Sequence, residues 1–151
     1  MPKATMREEA EYALPAGEYF PARLDSVSEK EIEFFKKDKN GNRTEEKSSF
    51  TKWVWEFKIT DGDYTGMKAW GETEDRVTNR EDNLVRQWAE ALLGKELEIG
   101  DEFDTDAVLG LPCLLTVRHD EPRTKRDGGK FYGCPVDEVY PASGGGTEPP
   151  F

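Results

Sequence analysis

Apolar and polar positions alternate with a period of two along most of this chain and switch to a helical period once. In FTKWVWEFKIT, Trp53, Trp55, Phe57 and Ile59 fall on one face and Lys52, Val54, Glu56 and Lys58 on the other, the pattern of a strand with one side buried. Upstream, LPAGEYFPARLDSVSEKEIEFF carries Tyr19, Arg23, Val27 and Ile32 in a β-rich pattern behind Pro15, Gly17 and Pro21, which predicts a long, bent first strand. Asn40-Gly41 within KKDKNGNRTEEK signals a turn, and the segment is too long for a two-residue hairpin, so a protruding hairpin loop is expected there. After the turn at Asp61-Gly62-Asp63, MKAWGET sets Met67 and Ala69 against Lys68, Trp70 and Glu72 as a third strand.

Between Asn79 and Leu93 the period lengthens. Leu84, Val85, Trp88, Ala91 and Leu92 recur at helical spacing, with Asn79 or Asp82 available as the N-terminal cap and Gly94 as the terminator. Asp104 to Asp106 are suited to cap a short turn ending at Gly110, after which CLLTVRH, the loop PRTKRDGGK and KFYGCPVDEVY read as a closing hairpin. Three strands, a helix and two strands is the element order of an OB-fold, so the fold expected is all-β with one helix, a five-stranded barrel over residues 15–142. An acidic arm, 1–14, precedes it, and a Gly-rich tail, 143–151, follows.

Composition changes this picture only through charge. Lys and Arg total 21 against 32 Asp and Glu, a net charge of −11, and the excess is unevenly placed. Residues 71–107 hold 12 acids against Arg76, Arg80, Arg86 and Lys95, whereas two segments are basic. One is KKDKNGNRTEEK, with Lys36, Lys37, Lys39 and Arg43; the other is PRTKRDGGK, with Arg123, Lys125, Arg126 and Lys130 against Asp127 alone. In an OB-fold, oligonucleotides bind on the face of strands 2 and 3 and in the loops joining strands 1 to 2 and 4 to 5, and those loops are the two basic segments. The 4 Trp, 5 Tyr and 8 Phe argue for a folded core, and Cys113 and Cys134, with no close cysteine pair, for reduced thiols rather than a disulfide scaffold. No run of apolar residues reaches membrane-spanning length, and MPKATMREEAEYAL has no secretory apolar stretch, so a cytoplasmic protein without a membrane partner is expected.

Two segments, WVWEFKITDGDYTGMKAW and GDEFDTDAVLGLPCLLTVRH leading into the last hairpin, resemble the small phage-encoded single-stranded DNA-binding proteins with OB-like folds. The last residues, Glu148-Pro149-Pro150-Phe151, are similar to the tip of bacterial single-stranded DNA-binding proteins, which recruits replication and recombination partners, although here the tail is short and has one acid. The resemblance implies DNA replication or recombination in a phage-infected cell's cytoplasm, and a fold whose relatives often work as homo-oligomers.

Binding single strands without sequence preference takes cations that follow the phosphates and rings on which any base stacks. Lys52, Lys58, Lys68 and Trp70 share the polar face of strands 2 and 3, and the eight cations of the basic loops flank it. Trp70 is the best stacking candidate. Trp53 and Trp55, on the face with Phe57 and Ile59, read more readily as core, and of Phe131 and Tyr132, which point oppositely, one stacks and the other packs. Other chemistry is weakly supported. Cys113, His119 and Cys134 lack the close spacing of a zinc site, the lone histidine has no nucleophile motif near it, and Asp104 and Asp106 suit a capped turn better than a Mg²⁺ site. No enzyme activity, cofactor or metal is expected. The alternative is an acidic protein-interaction module, a DNA-mimic inhibitor that presents residues 71–107 to a host protein.

Overall fold

The structure, a computed structural model, describes residues 12–142, and is mostly β with one α-helix. Its organising element is β1 (Phe20–Lys37), which pairs along nearly its whole length with β2 (Arg43–Ile59) and, through Phe20–Arg23, with β4 (Pro112–Val117). β3 (Lys68–Glu74) lies outside β2, and β7 (Val136–Pro141) outside β4, giving one antiparallel sheet in the order β3-β2-β1-β4-β7. A register shift between Leu24 and Ser26 bends β1. Beyond that bulge β1 parts from β4 and runs out with β2 alone, so the predicted bent strand is present and longer than its apolar pattern indicates.

The basic segment after Phe35 is ribbon rather than loop. β1 and β2 hold their pairing from Ala22–Ile59 to Lys37–Arg43, and only residues 38–42 turn. Asp38 fixes that turn: its Oδ1 accepts from the amides of Asn40 and Asn42, each at 2.9 Å, and Gly41 takes φ +79°. The closing hairpin also differs from expectation. Its second strand is β7 alone, while Arg123–Thr124 (β5) and Lys130–Phe131 (β6) form a separate small ribbon.

One face of the sheet is buried as the alternation requires. Leu24, Trp55, Phe57, Ile59 and Leu115 are wholly inaccessible, and β3 alternates buried and exposed at every residue. Helix α1 (Leu84–Leu93) closes over this face, burying Val85, Trp88, Ala89, Ala91 and Leu92. Its cap is Asn83, not Asn79 or Asp82: the Asn83 Oδ1 accepts from the Arg86 amide at 2.8 Å while Nδ2 donates to the Arg76 carbonyl at 3.2 Å. A carboxylate has no hydrogen to give the second bond, and Asp82 pairs instead with Arg80 at the surface. Gly94 ends the helix in the left-handed conformation, φ 70°. Asp104 caps the following 3₁₀ turn, Thr105–Val108, as its spacing suggests.

The expected barrel does not close. β3 and β7 remain separate edges of the sheet, and α1 packs against both. The side chain of Trp88 occupies the seam: a Cβ built on Gly71 of β3 would stand 2.3 Å from its Cη2 and 3.2 Å from the Cβ of Val136 on β7. Packed side chains thus fill the place where ladder hydrogen bonds would complete a barrel. Leu14, within the stretch assigned to the N-terminal arm, is fully buried in the same core.

Cys113 belongs to that core, and burial pushes its thiol up from 9.0 to about 12. Two outcomes follow. At about pH 8 a thiol reagent should modify Cys134, which is partly exposed, and reach Cys113 only on unfolding. Above pH 9 the unfolded chain releases its Cys113 proton while the folded chain keeps it, so stability is full below 9.0 and declines towards about 12. Denaturant midpoints of wild type and Cys113→Ala across that range should converge as this component, about 1.4 kcal/mol per pH unit, is lost from the wild type.

Candidate nucleic-acid interface

The outer face of β2 and β3 forms one wall of a groove of about 520 Å³. Lys52 and Val54 of β2 and Lys68, Trp70 and Glu72 of β3 line that side; Arg123, Phe131, Tyr132 and Gly133 line the other. The alternation of β3 puts Ala69 and Gly71 inward and so forces Trp70 outward, where it is 51% exposed. Phe131, 54% exposed, projects from the small β5–β6 ribbon.

This resolves the Phe131 and Tyr132 pair. Tyr132 packs edge-on against Tyr12 at 5.3 Å, and the Tyr12 ring lies flat on His119 at 3.8 Å. The Tyr12 hydroxyl donates to the Asp120 carbonyl at 2.6 Å, and His119 Nε2, facing the Leu14 carbonyl at 2.7 Å, donates its hydrogen there. Phe131 is therefore the open ring and Tyr132 part of a clamp that ties residues 12–14 to the end of the groove. Trp55 is core, and Trp53 packs at the core's margin against Trp55 and Phe103.

The cations fall into two classes. Three on the outer face of the sheet are partnered by glutamates, Lys68 with Glu56 at 3.2 Å, Lys52 with Glu72 at 3.8 Å and Lys30 with Glu72 at 3.0 Å, while Lys58 forms no ion pair among the described residues. Arg118 and Asp120 form a further pair at 3.3 Å, so the groove lining nearly balances in charge. Those on the ribbons are different. Lys36, Lys37, Lys39, Arg123, Lys125, Arg126 and Lys130 are exposed and form no ion pair among the described residues.

The structure brings Lys52, Lys68, Trp70, Arg123, Phe131 and Tyr132 together in the groove and leaves other expected members outside it. Lys58 shares the outer face of β2 but pairs across to Lys68 without lining the groove. Lys36, Lys37 and Lys39 stand at the far end of the β1–β2 ribbon, and Arg43 lies 3.8 Å over the ring of Phe35. Lys125 and Arg126 occupy the β5–β6 turn, held by the Lys125 amide on the Gly129 carbonyl at 2.7 Å. The tip Glu148, Pro149, Pro150 and Phe151 lies outside the described residues.

Several members were not anticipated. Glu56 and Glu72 share the parity of the lysines they neutralise, a signal present in WVWEFK and KAWGET. Phe34 and Phe50, exposed on the ribbon, carry the same kind of signal, since Phe50 has the parity of Lys52. Cys113, His119 and Cys134 do not converge, and no group of three metal-ligating side chains forms among the described residues. Nor is any described helix long and apolar enough to cross a membrane. Compared with known protein-family models and with curated proteins, the chain matches none.

Proposed function

We propose that this protein binds single-stranded DNA with little sequence preference, the bases stacking on Trp70 and Phe131 and the backbone following the cations of the two ribbons. The observation that carries the reading is the groove itself: two half-exposed aromatic rings from separate elements open into one cleft, beside a ribbon whose four cations form no ion pair among the described residues. A duplex hides the faces of its bases and gains nothing from such rings, whereas every base of a single strand offers one. The strand order, with a helix following the third strand, further supports an OB-type domain whose β3–β7 seam is plugged by a helix. The resemblance supplies the setting, phage DNA replication or recombination in the host cytoplasm. A binding surface accounts for the site better than an enzyme's: the lone histidine is spent on the Tyr12–Leu14 clamp.

The test is a titration with oligo-dT, followed by tryptophan fluorescence and by anisotropy of a labelled strand, at several salt concentrations and with duplex DNA as control. Saturable quenching that weakens with salt and favours the single strand is expected. Replacing Lys125 and Arg126 with alanine should lower the slope of log K against log salt by about 1.4, at 0.7 for each phosphate contact removed. Absence of both quenching and shift would overturn the reading and turn attention to residues 71–107 as a protein-binding surface.

A further inference from the structure

The β1–β2 ribbon is sorted by charge. Along β1, Glu29, Glu31 and Glu33 face the same way, opposite Trp53, Thr51 and Ser49 of β2. The intervening residues make the other face: Lys30 opposite Lys52, Ile32 opposite Phe50, and Phe34 opposite Ser48. There Phe34 and Phe50, 44% and 43% exposed, set their rings 5.8 Å apart. This face is continuous with the groove, because Lys52 reaches both ways: its Nζ is 5.6 Å from the Phe50 ring and 3.8 Å from Glu72, which lines the groove beside Trp70. Among the described residues no third strand covers the ribbon here, since β3 pairs with β2 only over Lys52–Lys58.

We infer that a single strand held in the groove continues along this face, with bases on Phe34 and Phe50 and phosphates at Lys30 and Lys52. The inference rests on the groove's being a nucleic-acid site, and charge selects the occupant. Lys30 and Lys52 stand side by side with only Glu72 between them, so a second copy docked face to face would set like charges against like, while a polyanion supplies the missing sign. The glutamate face repels the same strand and keeps it on one side of the ribbon. Trp70 pairs with Glu56, six residues from Phe50, so the added platform lies about 20 Å along β2 from the Trp70 stacking position. That is several nucleotides beyond what the groove alone can hold.

The experiment compares the wild type with Phe34→Ala/Phe50→Ala on labelled oligo-dT of about six and about twenty nucleotides, lengths spanning one site and a long lattice. The short strand should bind both proteins equally, and the long strand should bind the variant about tenfold or more weaker. Phe34→Trp should retain tight long-strand binding and add quenching seen only with the long strand. No loss at either length, or an equal loss at both, overturns the extension and leaves the groove standing. If the wild type binds no strand of either length, the groove reading falls with it. A wild-type dimer in sedimentation that the double variant dissolves, with binding to both lengths unchanged, assigns the face to a second copy and overturns the inference.

Discussion

Trp70→Ala should weaken binding of a single strand by about 1–3 kcal/mol, the usual worth of one base stacked on an aromatic ring, which is about 5- to 150-fold in Kd. The ring is half exposed and packs into no core, so the thermal midpoint should stay close to that of the wild type. The same substitution should abolish fluorescence quenching. Trp55 and Trp88 are sealed in the core and Trp53 is partly covered, leaving Trp70 as the most exposed indole of the four. Trp70→Phe keeps a ring and should restore most of the affinity without the quenching. Binding by anisotropy that is unchanged in Trp70→Ala would show that the groove is not where bases stack.

Gly71→Ala, one residue away, should act on stability instead. The added methyl carbon would lie 2.3 Å from Cη2 and 2.9 Å from Cζ3 of Trp88, well inside van der Waals contact. Trp88 cannot simply turn aside, because its ring is wedged edge-on against Trp55 at 5.4 Å and Phe57 at 6.0 Å. Overpacking of this kind costs about 1–3 kcal/mol and sometimes more. The helix bearing Trp88 must back away from the seam or β3 must shift outward. Chemical denaturation should report the loss, and near-ultraviolet circular dichroism should report a changed environment for the clustered tryptophans. A variant as stable as the wild type would mean that Trp88 does not fill the β3–β7 seam.

The contrast between these neighbours shows what one sequence discloses. That Trp70 faces out and Ala69 in was legible in MKAWGET, because a half-buried strand must alternate. The same logic gave β2 and its buried Trp55, and helical spacing gave α1. Where burial does not dictate the pattern, the sequence is quiet. The far end of the ribbon, residues 36–47, has two solvated faces, so it carries no apolar alternation and reads as a loop, although its hydrogen bonds need no buried side chain to form. Gly71 is one glycine among 14, and only the arrival of Trp88 from a distant element makes it indispensable. The ion pairs of Glu56 and Glu72 depend likewise on strand register, which sets residues far apart in the chain diagonally across from one another on one face. The choice of Asn83 as cap turned on a second bond, to Arg76, that spacing alone does not display.

The sorting of charge along β1 makes the spacing of residues there more important than their identity. The part of β1 near Val27 is anchored to the core, and the turn held by Asp38 closes the far end. One residue inserted between them, at Glu29 or Lys30, would rotate every later side chain to the opposite face. Ile32 and Phe34 would then join the side of the glutamates, and Glu31 and Glu33 would stand beside Lys52 on the approach to the groove. Two inserted residues would restore the pattern and merely lengthen the arm. Insertions and deletions in this arm should therefore be tolerated by parity, even counts preserving the surface and odd counts inverting its sign.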